Sequence, residues 1–158
     1  MSTMEWVPCP SPSDLTSSEC QTVLDLFWNE TGEVYSETTV RLLPVPAWSG
    51  NMMLVNKEHE QPVIEGVLWA TPFKDDIVRI AAFVLHRRHQ GKGWGTLAWK
   101  RFVKTMVDEG YGQVQLEVKA ANHRAQAFYQ QRGMSIQCEL VGYYASGLGY
   151  MMRGPLRA

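Results

Sequence analysis

The spacing of hydrophobic residues along the chain predicts both helices and strands. Apolar side chains return every three or four residues between positions 94 and 109, which predicts an amphipathic helix ended by Gly110. Similar spacing predicts a helix over 20–30, a weaker one over 34–43 and a further one over 121–133. The apolar face of the first of these consists of Val23, Leu24, Phe27 and Trp28.

Shorter apolar runs predict the strands. They cover 51–60, 61–72, 76–85, 114–118, 134–144 and 148–153, with a polar turn at 57–61 between the first two. The 76–85 run ends in the nearly continuous apolar stretch IAAFVL, which indicates burial on both faces of a sheet. Several strands followed by a strand–helix–strand–helix–strand order are typical of an α/β or α+β domain.

Composition and charge narrow the classes of function. With 158 residues, 45% of them hydrophobic, the chain is long enough for one domain over residues 1–158 with a continuous core. The net charge of −1 provides no general positive field. We therefore expect no nucleic-acid partner, and only local binding of anions.

The cysteines and the first ten residues indicate the cellular compartment. Cys9, Cys20 and Cys138 are odd in number and lack a paired motif, so neither a disulfide framework nor a zinc site is indicated. Residues 1–10 do not match a signal peptide, and the longest apolar run, 80–85, is far shorter than the roughly 20 residues of a bilayer span. We expect a cytoplasmic protein without a membrane partner.

A glycine-rich turn joins the apolar run to the next helix, with the sequence HRRHQGKGWGT over residues 86–96. N–H groups at a helix N-terminus attract anions, and glycines let the backbone approach a ligand closely. The turn does not match a P-loop, because Gly93 rather than Ser or Thr follows Lys92, and its third glycine comes one position early for a dinucleotide fingerprint. A phosphate site and a plain strand-to-helix connection with a basic flank are both compatible with these residues.

The longer segment LHRRHQGKGWGTLAW resembles the acyl-CoA-binding segment of the GNAT superfamily of N-acetyltransferases, V-x-P-x-x-R/Q-G-x-G-I-G-x-x-L. Leu85 stands at the valine and Gln90 at the Arg/Gln, whereas Arg87 and Trp94 depart from the family pattern. Downstream, LEVKAANHRAQAFYQQRGM at 116–134 is similar to the family's L-x-V-x-x-x-N-x-x-A-x-x-F-Y-x-x-x-G-F segment. The matching positions are Leu116, Val118, Asn122, Ala125, Phe128, Tyr129 and Gly133. Two motifs in the same order are a more specific signal than one glycine turn.

The resemblance, which covers residues 62–152, implies a mixed α/β (α+β) sheet of about six to seven strands flanked by about four helices. The strands at 76–85 and 114–118 would run parallel and then separate, and the pantetheine arm of acetyl-CoA would bind in that gap. The first strand would hold the arm through its backbone at Phe83, Val84 and Leu85. The diphosphate would bind backbone N–H groups of Gln90, Gly91, Lys92, Gly93, Trp94, Gly95 and Thr96.

The resemblance also implies catalytic roles for Glu117 and Tyr129, a pairing that bacterial ribosomal-protein N-terminal acetyltransferases share. Glu117, with apolar neighbours in its strand, would be the base for the acceptor amine, directly or through water, and a solvent-facing glutamate is the plain alternative. Tyr129 would contact the cofactor and protonate the departing thiolate, and its alternative is an amphipathic core tyrosine. Asn122 would contact the cofactor, cap a helix, or do both.

The ending GYYASGLGYMMR is similar to the YYADGEDAYAM ending of protein N-terminal acetyltransferases. The similarity places Tyr143 and Tyr144 at the acceptor site, although Leu148 and Gly149 replace the acidic residues of that ending. We expect an acetyltransferase acting on a peptide or protein N-terminus. The alternatives are a polyamine, amino acid or aminoglycoside as acceptor, or a non-catalytic acyl-CoA-binding module. The sequence is compatible with a monomer or a homodimer.

Two further clusters carry less weight. His86, His89 and His123 lack acidic or cysteine partners at ligand spacing, so we expect no metal site. An RNA-binding role for the Arg/His cluster at 86–89 is disfavoured by the negative net charge and by the lack of interleaved aromatic residues.

Overall fold

A seven-stranded mixed sheet forms the centre of the computed structural model, which describes residues 3–58, 60 and 62–158. The strands are β1 (Met4–Pro8), β2 (Met52–Asn56), β3 (Val63–Lys74), β4 (Ile77–Leu85), β5 (Gln113–Lys119), β6 (Ser135–Tyr144) and β7 (Gly147–Pro155). Their order across the sheet is β1-β2-β3-β4-β5-β7-β6. Of the predicted polar turn at 57–61, residues 59 and 61 lie outside the described residues.

Four helices in the described part of the chain flank the sheet. They are α1 (Ser17–Thr31), α2 (Glu37–Arg41), α3 (Trp94–Asp108) and α4 (His123–Gln130), and a short 3-10 turn lies at Arg87–His89. Local chemistry sets their ends. Thr16 and Glu19 form a capping box at the start of α1, with the Glu19 N–H donating to Thr16 Oγ1 at 3.1 Å and the Thr16 N–H donating to Glu19 Oε1 at 2.8 Å. α3 is followed closely by Gly110 with φ of 97°, as the sequence predicts.

The parallel pair β4–β5 is much shorter than its two strands. Only Ile77–Arg79 pair with Gln113–Gln115, after which the strands separate. The diverging segments, residues 80–85 of β4 and 116–119 of β5, are called the fork below. Every other neighbouring pair in the sheet is antiparallel. The predicted fold class and the predicted separation of the fourth and fifth strands are confirmed.

The core has one layer on each face of the sheet. One layer packs α3 and α4 against the sheet around the buried Trp99 and Phe102. The other packs α1 and α2 around Val23, Phe27 and Trp69. Because helices cover both faces, the central strands β3 and β4 are apolar along most of their length, which explains the continuous runs in the sequence.

Three details differ from the sequence-based expectations. β1 was not predicted, because a five-residue strand ending in a proline shows too little alternation. The helix predicted over 34–43 is confined to α2, since the chain is still extended at Ser36, the N-cap. Trp28 does not belong to the buried face of α1, as 55% of its surface is exposed.

None of the helices in the described part of the chain has both the length and the hydrophobicity that a membrane span requires.

Candidate active site

The fork opens into two adjoining cavities. The smaller, of about 270 Å³, follows the glycine-rich turn, and the larger, of about 630 Å³, extends between α1–α2 and the hairpin of β6 and β7. Phe83, Asn122 and Tyr129 line both, so the two spaces meet inside the fork. A ligand in the smaller cavity can therefore reach a second ligand in the larger one.

Residues 91–96 of the glycine-rich turn present their backbone N–H groups without internal acceptors. Within the described part of the chain, no protein group accepts a hydrogen bond from the N–H groups of residues 91–96, and the first helical bond of α3 runs from the Leu97 N–H to the Gly93 oxygen. Gly91 and Gly93 adopt φ of 75° and 91°, a region that glycine enters without strain. These N–H groups lie beside the smaller cavity and are available to an anion.

Most of the predicted cofactor residues line one or both cavities. They are Phe83, Val84, Leu85, Gln90, Gly91, Gly93, Gly95, Thr96, Asn122 and Tyr129. Lys92 and Trp94 do not line either cavity: Lys92 is exposed, and Trp94 packs on the core, with its carbonyl oxygen accepting from Trp6 Nε1 at 2.9 Å. What these two residues offer to the turn is their backbone N–H groups.

Side chains hold the turn in place from both ends. Gln90 Nε2 donates to the Leu85 oxygen at 2.8 Å, which ties the turn back to the end of β4. At the other end, Thr96 Oγ1 accepts from Arg132 Nη2 at 3.3 Å. Asn122 caps α4, as its side chain accepts from the Ala125 N–H at 3.1 Å, so the predicted capping role is present alongside its position on the cavities.

Arg124 is a site residue that the sequence reasoning missed. Its Nη2 lies 2.8 Å from where a Cβ on Gly91 would stand, and it lines the smaller cavity. In the described part of the chain this exposed guanidinium has no hydrogen-bond or ion-pair partner. The available signal was a basic residue in the first turn of a helix that the second motif already placed beside the cofactor.

A bulge in β4 was also missed. Trp69 pairs with Ala82 and Ala70 with Ile80, so Ala81 is an extra residue on β4. A bulge reverses the side-chain alternation and bends the strand. Beyond it Phe83 faces the α3–α4 layer, where its ring stacks on Trp99 with centroids 6.3 Å apart. The bulge lies where β4 turns away from β5.

Glu117 points into the larger cavity, but its surroundings differ from the expectation. The prediction placed it among apolar neighbours, whereas Arg79 Nε donates to its two oxygens at 2.9 and 3.2 Å, and Arg79 Nη2 also contacts it. The Tyr143 hydroxyl donates to Glu117 Oε1 at 3.1 Å. Burial alone would lower the pKa of Arg79, but the bonds and charge of Glu117 outweigh it and raise that pKa. Glu117 is thus an ion-paired carboxylate.

Tyr129 lies at the junction of the two cavities. Within the described chain, no protein group hydrogen-bonds its hydroxyl. Burial raises the pKa of Tyr129 above its ordinary value, and the nearby Arg132 charge opposes this only in part. Its neighbour Phe128 packs into the aromatic cluster with Trp99, as expected. The phenol is therefore a protonated donor without a competing partner.

Tyr143 and Tyr144 both line the larger cavity, with their rings in an edge-to-face contact at 4.9 Å. The acidic residues of this cavity are each paired with a cation. The pairs are Glu117–Arg79, Glu33–Lys119 at 3.0 Å and Glu30–Arg87 at 3.3 Å. The cavity therefore combines aromatic walls with balanced charge.

The three histidines do not gather into a site. His86 Nδ1 accepts from the Arg88 N–H at 3.2 Å, and His89 contacts Glu65. Across residues 3–58, 60 and 62–158, no group of His, Cys, Asp or Glu side chains is arranged to hold a metal ion.

Comparisons with known proteins agree with this fold. The structure of Ard1 from Thermoplasma volcanium superposes with a TM-score of 0.79 at 20% identity, covering 97% of each chain. The ribosomal-protein-S18-alanine N-acetyltransferase from Escherichia coli gives 0.75 at 16% identity, covering 98% of this chain and 95% of that one. Arabidopsis thaliana Naa50, solved with the bisubstrate analogue CoA-Ac-MVNAL, gives 0.71 at 13% identity, covering 96% and 97%.

At these identities the structural likenesses establish the fold. None of the curated proteins compared with the chain matches its sequence. The model of the acetyltransferase (GNAT) family, in contrast, matches residues 20–134, well over half of the chain. The motif resemblance is thereby confirmed, and the chain belongs to the GNAT family of acetyltransferases.

Proposed function

We propose that this protein transfers an acetyl group from acetyl-CoA to a primary amine, with the α-amine of a peptide or protein N-terminus as the favoured acceptor. The observation that carries the proposal is the row of N–H groups at 91–96, without acceptors, at the mouth of the fork. Such a row at a helix N-terminus suits a diphosphate, and Arg124 adds positive charge beside it. The apolar part of the fork around Phe83 suits the pantetheine arm.

Acetyl-CoA supplies an activated thioester, which an amine can attack directly without an acyl-enzyme. As the new C–N bond forms and the C–S bond breaks, the chain must donate one proton and accept another. Tyr129 is the donor to the sulfur, because its phenol is protonated and has no hydrogen-bond partner among the described residues at the junction of the cavities.

Glu117 is the acceptor of the amine proton, directly or through water. Arg79 and Tyr143 fix the orientation of its carboxylate toward the larger cavity. An α-amine has an ordinary pKa of about 7.7–8.0, against about 10.4 for lysine, so a larger neutral fraction is already present near neutral pH. A peptide α-amine therefore needs less assistance from a base than a lysine side chain does.

The charges of the larger cavity favour a singly charged amine. Glu30, Glu33 and Glu117 each have a cationic partner, so none of the described carboxylates that line this cavity is left unpaired for a second or third ammonium. Polyamines and aminoglycosides carry several such groups and need an excess of acidic residues. The tyrosine pair of the hairpin offers apolar, hydrogen-bonding walls that suit a peptide chain.

The names of similar structures support the same acceptor class. The E. coli protein is called an N-acetyltransferase of an alanine in ribosomal protein S18, and the Arabidopsis structure holds CoA joined to the peptide MVNAL. Both superpose over nearly the whole chain.

The test is an acceptor panel read by thiol release and mass spectrometry. It contains peptides with a free α-amine, the same peptides N-formylated but carrying a free lysine, and spermidine, amino acids and an aminoglycoside. We expect acetylation of the free α-amine peptides alone. Faster turnover of a small molecule than of the peptides would overturn the peptide assignment. Saturable binding of acetyl-CoA without turnover of any acceptor in the panel would indicate a non-catalytic acyl-CoA-binding module.

A further inference from the structure

A buried glutamate lies next to the glycine-rich turn and takes no part in the chemistry above. Within the described ranges, Glu65 of β3 is the only Asp, Glu, Lys or Arg that is buried as a whole residue, with 2% of its surface exposed. Burying a carboxylate is unfavourable unless it is charge-paired and hydrogen-bonded. The position of Glu65 therefore needs an account.

A bulge aims the Glu65 side chain. Leu54 pairs with Gly66 and Val55 with Ile64, which makes Glu65 the extra residue of β3 at this point. Bulges commonly re-aim a side chain out of the strand's alternation. Here the carboxylate turns toward the segment that leaves the end of β4.

In the described chain, the side-chain partners of Glu65 lie directly before residues 91–96, the proposed diphosphate site. Arg88 Nη2 donates to Glu65 Oε1 at 2.8 Å, and His89 Nε2 contacts Oε2. The backbone oxygen of Glu65 accepts from the His86 N–H at 2.9 Å. Residues 86–89, which include the 3-10 turn, are thus held to β3 by one backbone hydrogen bond and two side-chain contacts.

The fastened segment continues without a break into the site. Gln90 follows His89, and its side chain bonds the Leu85 oxygen, so both sides of the turn's entrance are fixed before Gly91. Glu65 itself lines neither cavity. Its influence on a ligand has to pass through Arg88 and His89, of which His89 is the better held, with 13% of its side chain exposed against 62% for Arg88.

We infer that Glu65 is a positioning residue for diphosphate recognition: through His89 and Arg88 it holds the backbone N–H groups of residues 91–96 in the direction that the diphosphate requires. The inference rests on the proposed binding of acetyl-CoA. It predicts an effect confined to ligands that contain the diphosphate, because the pantetheine arm binds further along the fork.

The test compares the binding of three ligands, CoA, dephospho-CoA and pantetheine. CoA and dephospho-CoA both contain the diphosphate, and pantetheine lacks it. Dissociation constants are measured by calorimetry for the first two and by ligand-observed NMR for pantetheine, for the wild type, Glu65→Gln, His89→Gln and the double variant. Glu5→Gln, which removes an exposed ion pair on β1, is the matched control.

We expect Glu65→Gln to raise the dissociation constants of CoA and dephospho-CoA by the same factor, about tenfold, and to change that of pantetheine by less than about twofold. His89→Gln should raise the same two dissociation constants. The double variant should bind these ligands no more weakly than the weaker-binding single variant, since both residues act through one contact. His89→Gln carries the test on its own if Glu65→Gln does not fold.

An unchanged affinity for CoA in both single variants would overturn the inference. A loss for pantetheine equal to that for CoA would also overturn it, since it would indicate general damage to the fork. Failure of the proposed function is distinguishable, because the wild type itself would then show no saturable binding of CoA.

Discussion

Arg79 and Glu117 form an ion pair at the point where β4 and β5 stop pairing. The two residues are 38 positions apart in the chain, and Arg79 Nε lies 2.9 Å from Glu117 Oε1. Arg79 belongs to the last paired position of the parallel ladder, and Glu117 lies in β5 two residues beyond that position, within the fork. The pair therefore ties the base of the fork and keeps the proposed proton acceptor oriented.

Arg79→Gln should destabilise the protein by about 1 to 2 kcal/mol, because it leaves the largely buried carboxylate of Glu117 without its cation. The free energy of unfolding in urea measures this. Lys104→Gln, which removes the exposed pair with Asp108 on α3, is the control and should cost less than about 0.5 kcal/mol. Equal costs for the two variants would mean that the Arg79 pair is no stronger than a surface pair.

Tyr129→Phe should lower kcat by about 100-fold and leave the dissociation constant of acetyl-CoA nearly unchanged. The hydroxyl has no hydrogen-bond partner among the described residues, so its removal breaks no bond to them. Steady-state kinetics and calorimetry measure the two quantities. Tyr111→Phe, which changes a tyrosine packed on Trp48 away from both cavities, should behave like the wild type. An unaltered kcat in Tyr129→Phe would rule out Tyr129 as the proton donor.

The pH dependence of kcat should show no alkaline decline caused by Tyr129 up to about pH 9.5. Burial raises the pKa of Tyr129, and a phenol with a raised pKa keeps its proton to higher pH, so the donating form persists. The measurement is kcat against pH at saturating acetyl-CoA. A decline below that pH that disappears in Tyr129→Phe would contradict the protonated state assigned to the phenol.

Gly91→Ala should weaken CoA binding by about tenfold, because a Cβ at φ of 75° strains the turn and lies 2.8 Å from Arg124 Nη2. Gly110→Ala is a matched control with φ of 97° and open space around the new Cβ. Both variants should lose about 1 kcal/mol of stability, and only Gly91→Ala should lose affinity. Equal affinity for CoA in the two variants would show that the turn is not part of the binding site.

The sequence allowed the fork to be predicted because its signals are local. The period of the 94–109 helix, the glycine turn and the Asn-x-x-Ala-x-x-Phe-Tyr helix each lie within one segment, and their order specifies how the elements pack. The splayed ends of β4 and β5 followed from the family pattern that these segments match.

The contacts around Glu117 and Glu65 could not be predicted because they join distant segments. Arg79 is a single charged residue in an otherwise apolar strand, which marks it as unusual without naming a partner on another strand. The bulges at Ala81 and Glu65 leave no periodic signal, since one extra residue shifts an alternation that burial on both faces had already hidden.

Amide chemical shifts test most directly whether the backbone N–H groups of residues 91–96 bind the diphosphate. CoA is titrated into ¹⁵N-labelled protein, and the shift of each backbone N–H is followed. We predict saturable changes that are largest for residues 91–96, with smaller ones along residues 83–85 of β4. Saturation with the largest changes elsewhere, or no change at residues 91–96, would contradict the assignment of this turn to the diphosphate.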